Sequence, residues 1–335
     1  MNEVTIKDIA EALKISPSTV SRALSDHPDI SESTKKRVIN KASSLNYNPN
    51  IVAQSLKSNK TKLIGVIVPE IEHSFFASAI SGIEEVAYRS GYIIVVCSSE
   101  ESYDREVVNT NALVSNRAAG LIVSISQTTT NSDHLKAVMK RNIPLVLFDR
   151  VIEDLNTSKV IIDDKNSAFN AVNYLIGKGY KDIAHLAGKQ EVNICRLRFE
   201  GYCKALQDNN IPINENYIFY GGLHEQDGYN SIEQMIKQKN IPEAIFAVND
   251  PVAIGAFKRL REEGFSIPEQ IAIVGFSNNP IAEIIEPKLT TVNQPAYEMG
   301  RKAAELIINQ IKSGESPPKF MTEILDTELI VRESA

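Results

Sequence analysis

From Leu63 onward the sequence repeats one pattern: an apolar run of strand length, an amphipathic stretch of helix length, then another apolar run. The runs are Leu63–Val68, Tyr92–Cys97, Gly120–Ser124, Pro144–Phe148, Val160–Asp163, Asp182–Ala187, Ala244–Val248 and Ile271–Phe276. Continuously apolar strands are buried on both faces, and parallel neighbours need a helical crossover between them. The pattern therefore predicts doubly wound parallel sheets. The 273 residues from Leu63 to Ala335 exceed one such sheet of ordinary size. Two lobes are expected, the first turning over near residue 160. The stretch Thr290-Thr291-Val292-Asn293-Gln294-Pro295 reads as a later crossover, leading into a helix over Ala296–Ile311.

Residues 1–62 lack this pattern and read as three short helices. Thr5 with Asp8 three residues later is a capping-box-like start, followed by Ile6, Ile9, Ala10 and Leu13 at helical spacing. Ser16 is a good N-cap and Pro17 suits the first helical position, with Val20, Ala23 and Leu24 facing inward. Ser31 opens the third helix, which ends before Asn46-Tyr47-Asn48-Pro49. The charge divides at the same place. Residues 1–62 carry 10 Lys and Arg against 6 Asp and Glu, net +4, leaving 26 against 36, net −10, for residues 63–335. A small basic part on an acidic body suits a polyanion-binding headpiece.

Composition excludes several classes. With 43% hydrophobic and 23% charged residues the chain is neither disordered nor fibrous. Cys97, Cys195 and Cys203 are odd in number and form no C-x-x-C pair, so neither a disulfide framework nor a zinc site is expected, and reduced cytoplasmic thiols are. Met1–Asp8 has no apolar core of the signal-peptide kind, and nowhere do about 18 apolar residues run together. No membrane partner is expected. The sequence has no G-x-x-x-x-G-K-[ST], G-x-G-x-x-G after the first strand, G-x-S-x-G or H-E-x-x-H, and its five histidines are scattered singly. An enzyme and a solute-binding protein are the alternatives to a regulator; no cofactor is implied.

The second helix carries the chemistry of the headpiece. Pro17, Ser18 and Arg22 lie opposite its apolar stripe. Arginine can donate two parallel hydrogen bonds to guanine O6 and N7 in the major groove, and Ser18, Thr19 and Ser21 can reach phosphates or base edges. A merely solvated polar face has the same composition. Asn50–Lys57 is a helical segment too short to be stable alone. It suits folding on binding, with Leu56 as a wedge into a minor-groove step or as an ordinary linker residue.

Taken together, Thr5-Ile6-Lys7-Asp8-Ile9-Ala10, Val20-Ser21-Arg22-Ala23-Leu24, Leu45-Asn46-Tyr47-Asn48-Pro49-Asn50 and Ala53-Gln54-Ser55-Leu56 resemble the headpiece of the LacI/GalR family of bacterial transcription regulators. Gly275-Phe276, Pro287-Lys288-Leu289-Thr290-Thr291-Val292, Gln294-Pro295 and Glu328-Leu329-Ile330-Val331-Arg332-Glu333-Ser334 extend the resemblance over the whole chain. It implies an all-α helix-turn-helix headpiece over 1–48, a hinge helix and linker over 49–62, and a two-lobed α/β body over 63–335 similar to periplasmic sugar-binding proteins. The lobes are expected at about 63–160 with 293–320, and 161–292 with 321–335. DNA contacts are implied for Thr5, Ser16, Pro17, Ser18, Thr19, Ser21, Arg22, Tyr47, Asn50, Ala53, Gln54, Leu56 and Lys57. Effector contacts are expected from Phe75, Phe76, Asp163, Arg196, Arg198, Asn249, Asp250 and Ser277, which follow strands or lie on the loops beyond. Ser277 departs from the family, which usually has an aspartate there. Its neutral side chain leaves Arg198 and Arg196 without their usual counter-ion and makes an acidic or phosphorylated sugar an expected effector beside a neutral one. A homodimer on a roughly palindromic operator is expected, acting as a repressor.

Overall fold

The computed structural model describes residues 4–45, 47, 61–315 and 319–335. The chain divides into two compact units, Met1–Thr61 and Lys62–Ala335. In the first, helices α1 (Ile6–Leu13), α2 (Pro17–Leu24) and α3 (Glu32–Ser44) enclose a small core of Ile9, Ala10, Val20, Ala23, Val38 and Ala42. Each helix start follows from a side chain. The Thr5 N–H donates to the Asp8 carboxylate at 2.7 Å, Ser16 Oγ accepts from the Thr19 N–H at 3.0 Å, and Ser31 Oγ accepts from the Thr34 N–H at 3.3 Å. Lys14, at φ 55°, makes the left-handed turn that separates α1 from α2.

The second unit holds two six-stranded sheets. The first comprises β1 (Leu63–Val68), β2 (Ile93–Ser98), β3 (Gly120–Val123), β4 (Leu145–Phe148), β5 (Ser158–Ile162) and β11 (Thr322–Leu325), in the order β11-β5-β4-β3-β1-β2. The second comprises β6 (Ile183–Leu186), β7 (Ile218–Phe219), β8 (Ala244–Ala247), β9 (Ala272–Ser277), β10 (Thr290–Asn293) and β12 (Glu328–Ile330), in the order β12-β10-β9-β8-β6-β7. All pairings are parallel except β10 with β12. The chain passes between lobes after β5, after β10 and between β11 and β12. Thus the segment 321–325, expected in the second lobe, pairs with β5 of the first, with Glu323 opposite Val160. Only the last few residues return to the second lobe, where Ser334 Oγ donates to the Ile273 carbonyl and accepts the Thr290 N–H.

Helices α4 (Ser74–Arg89) and α11 (Ala296–Ser313) cover one face of the first sheet, and α5 (Tyr103–Ser115) and α6 (Asp133–Lys140) the other. In the second lobe α7 (Asp164–Gly177) and α8 (Asn193–Asp208) pack on one face, α9 (Glu225–Gln238) and α10 (Asp250–Glu262) on the other. These helices meet backbone to backbone where glycine permits it. A Cβ on Gly300 would lie 2.0 Å from the Ala79 carbonyl oxygen, and one on Gly228 would lie 1.9 Å from that of Val252. Glycine is therefore required at both crossings.

Candidate DNA-reading helix and inter-lobe cleft

In the headpiece, Val20 and Ala23 turn inward while Pro17, Ser18 and Arg22 stand exposed on the opposite side of α2. Ser16 Oγ lies 2.7 Å from Ser18 Oγ and 2.8 Å from Thr19 Oγ1, which gathers three hydroxyls at the α2 N-terminus. A helix presented this way offers its N-terminal residues to base edges and its end to phosphates. Thr5 is occupied in capping α1, its hydroxyl donating to Asp8 at 2.8 Å. Tyr47 is half-buried and packs on the headpiece core. Asn50, Ala53, Gln54, Leu56 and Lys57 lie outside the described residues.

In the body, loops that follow strands of both sheets meet to form a cleft. Arg198, on α8, is buried, 1% exposed. Its Nε donates to Asp164 Oδ1 at 2.8 Å and its Nη1 to the Val248 carbonyl at 2.6 Å, while the guanidinium lies 3.6 Å from the centre of the Phe276 ring. Burial raises the Asp164 carboxyl to about 6, and Arg198 opposes that rise. Arg198 therefore has a counter-ion, contrary to the expectation drawn from Ser277. So does Arg196, which pairs with Glu153 at 2.5 Å and Glu200 at 2.7 Å.

A second charged group sits across from it. Arg150 donates to Glu101 Oε1 at 2.7 Å and lies 5.5 Å from the Phe76 ring centre. Neighbouring Asp149 is buried, its carboxyl pushed up by desolvation despite Arg150 and Arg198, and it accepts a long hydrogen bond from Gln294 at 3.4 Å. The Ser277 hydroxyl is shielded from solvent and makes no hydrogen bond. Its backbone, at φ 115°, leaves the strand through the left-handed region.

The other expected effector residues hold the cleft in shape. Phe75 and Phe76 are 7% and 2% exposed and meet edge-on, with ring centres 5.2 Å apart. Asp163 is exposed and caps α7 by accepting the Asn166 N–H at 3.0 Å. Asn249 caps α10 through the Val252 N–H and donates to the Leu223 carbonyl. Asp250, raised to about 6 by burial, accepts from Thr291 Oγ1 and from the Asn279 N–H, both at 2.6 Å, and so ties the loop after β9 to β10. A cavity of about 460 Å³ opens between the lobes, lined by Thr129, Asn131, Lys136 and Glu153 on one side and Glu191 and Arg196 on the other. Of the eight expected residues, Arg196 lines it.

Residues 5–50 match the model of bacterial regulatory proteins of the lacI family, and residues 172–335 that of a periplasmic binding protein-like domain. The chain is 37% identical over 334 residues to the transcriptional regulator RegA of Clostridium acetobutylicum, and 31% identical over 332 residues to the transcriptional repressor PurR of Vibrio campbellii, with 98% of each chain covered in both cases. This chain belongs to the lacI family of bacterial regulatory proteins. The fold agrees: the crystal structure of the lac repressor dimer bound to operator and the anti-inducer ONPF superposes with a TM-score of 0.86 at 25% identity, covering 99% of each chain. The protein is thus a DNA-binding transcriptional regulator with a helix-turn-helix headpiece and a two-lobed body.

Several cleft residues of this regulator escaped the sequence reading. Asp164 stands beside Asp163, but the cap position turns outward and the first helical position turns in. Asp149, Arg150 and Glu101 follow β4 and β2, and the rule that selected residues after strands applied to them equally. Arg332, from the terminal motif, donates to Asn278 Oδ1 at 2.9 Å, to Glu283 at 2.8 Å and to the Leu289 carbonyl at 2.8 Å, fastening the loop that carries Ser277.

Proposed function

We propose that this regulator is a homodimeric repressor whose hold on a two-fold operator is set by an uncharged, polyhydroxylated effector clamped between the lobes. Charge balance in the cleft carries the effector class. Arg198 is neutralised by Asp164 and Arg150 by Glu101, while Asp149 adds a further carboxyl. An anionic ligand would meet no uncompensated cation in this group and would face a carboxyl, whereas hydroxyl groups can use the Ser277 Oγ and the remaining arginine donors.

Dimerisation draws support from apolar side chains left exposed in both lobes: Tyr88 and Ile93 in the first, at 77% and 59% exposure, and Ile284 in the second, at 78%. Two copies of α2 then read two half-sites, as two-fold protein symmetry requires. Among the described residues no helix is long and apolar enough to cross a membrane, and the work is done in the cytoplasm, on DNA.

The test is calorimetric titration of neutral sugars, uronates and sugar phosphates against the parent and Arg198→Met, with and without an operator selected from random DNA. A neutral sugar should bind best, lose at least about tenfold in Arg198→Met, and change operator affinity by the factor by which operator changes its own. A phosphorylated sugar as the best ligand overturns the effector class; a ligand indifferent to operator overturns the allosteric reading.

A further inference from the structure

Beside the Arg150–Glu101 pair, one contact joins the lobes by a different chemistry. Glu70 follows β1 in the first lobe, and His224 follows β7 in the second and precedes α9. His224 Nε2 lies 2.8 Å from Glu70 Oε1. In the strand order of each sheet, β7 is the edge opposite β12, and β1 with β2 form the edge opposite β11. The three crossovers between lobes leave β5, β10 and β11 at the other edge, so this contact sits far from the pivot. Other cross-lobe contacts are the Val151 N–H to Asn193 Oδ1 at 3.1 Å and Arg196 to Glu153 at 2.5 Å. Neither contains an imidazole.

We propose that His224 and Glu70 form a proton-controlled latch across the cleft mouth, so that lobe closure is favoured by acid and relaxes as the imidazole loses its proton.

A carboxylate can only accept, so the imidazole must donate. Every carboxylate facing it rewards the charged form. Glu70 is hydrogen-bonded, Asp227 on its own helix lies 3.6 Å from Nδ1, and Glu101 stands nearby on the first lobe. The hydrogen bond to Glu70 pushes the imidazole above its ordinary 6.5, burial pulling the other way. Among the cations, Arg150 is engaged by Glu101, and half-buried His73, held down to about 4, is neutral through this range. Both latch side chains are partly open to water, His224 46% and Glu70 31%, so protons exchange freely.

The ligand atoms of Glu70, Glu101 and His224 all lie within 4.8 Å of one another, a spacing a metal ion could use. Glu101 is already committed, however: Oε1 accepts from Arg150 and Oε2 from the Gln127 N–H, both at 2.7 Å. That leaves the proton as the switch. Because opening separates His224 from Glu70, its affinity for a proton is higher in the closed form. The latch is whole below the open-form value and is lost as pH rises through the closed-form value. Each unit between the two values changes the closed-to-open ratio about tenfold, and half a unit about threefold.

The proposal uses the effector reading only for what closure accomplishes, and its test needs no ligand. Nitroxides are placed at Asn111→Cys on α5 and Gln234→Cys on α9, both exposed, in the full chain carrying Cys97→Ser and Cys203→Ser. Buried Cys195, its thiol pushed up to about 12, stays unlabelled. Electron–electron distance measurements at pH 5.5 and 8.5 should show the longer, open population growing about threefold or more at the higher pH. His224→Asn, which keeps a good N-cap, and Glu70→Gln should abolish that growth. Equal distributions at both pH values in the parent, or unchanged pH dependence in both variants, would overturn the latch. A histidine-selective NMR titration gives an independent readout: the His224 midpoint should lie above 6.5 in the parent and fall in Glu70→Gln. A parent midpoint at or below 6.5 also refutes the proposal.

Discussion

Replacing Asp164 with alanine strands a guanidinium that has no route to water. Arg198 would keep the Val248 carbonyl at 2.6 Å and the Phe276 face at 3.6 Å but lose the carboxylate that receives Nε at 2.8 Å. Breaking a buried pair from one side costs about 3–5 kcal/mol, because the remaining charge stays desolvated. The retained ring contact contributes about 2 kcal/mol, which places the expected loss toward the lower end, about 3 kcal/mol. For a body of this size that is roughly 6–12 °C in Tm. Removing both charges in Arg198→Met with Asp164→Leu should bring stability back to within about 2 kcal/mol of the parent, since well-packed apolar groups replace buried ion pairs at little cost. Effector binding should stay lost in that double variant. The chain contains no tryptophan, so urea unfolding is followed by circular dichroism rather than indole emission. An Asp164→Ala variant within about 0.5 kcal/mol of the parent, or a double variant as unstable as the single, would refute the reasoning.

Arg22→Ala should relax preference at one base pair per half-site by about 1–3 kcal/mol, while Lys57→Ala should weaken operator and random DNA alike and flatten the salt dependence; binding to both DNAs at several salt concentrations separates the two. His185 is buried against Phe246 and Tyr202, donates from Nδ1 to the Phe246 carbonyl, and is lowered to about 4 by burial. The unfolded chain therefore takes up this proton first, and stability should fall from pH 6.5 toward 4 by at most about 3 kcal/mol on its account. Urea midpoints at pH 5 and 7.5 should show a shallower fall in His185→Phe. Gly300→Ala drives a methyl group into the Ala79 carbonyl and should destabilise the body by at least about 1–3 kcal/mol, read as a lowered urea midpoint at unchanged slope.

The eight apolar runs were legible because strands inside a parallel sheet bury both faces, and every one became a strand within two residues at either end, although edge strand β2 leaves Ile93 and Val95 exposed. β10 was read only as a crossover, and β7, β11 and β12 were not read at all. These last three are two to four residues long and lie at sheet edges, where one side of the ladder is unpaired and no apolar run is required. The third crossover was lost with them, since nothing in Thr322–Leu325 states which of two sheets it will join. That assignment is made by register with β5, through contacts some 160 residues apart in sequence.

The cleft was legible as a place but not as an electrostatic balance. Sequence reasoning compared position 277 with its family and inferred an arginine without a partner, as though each charge in a cleft had one fixed address. In the folded chain the compensating carboxylate comes from the start of α7, because Arg198 on α8 lies against that helix and its Nε and Nη2 both reach Asp164 Oδ1 at 2.8 Å. A neutral residue at 277 therefore does not make the cleft positive; it leaves a buried hydroxyl on a strained turn with nothing to bond. Such a group costs free energy until water or a ligand supplies a donor or acceptor. If the proposed effector site holds, the residue at 277 bears on which hydroxyl the ligand presents to the second lobe, and less on what charge the ligand carries.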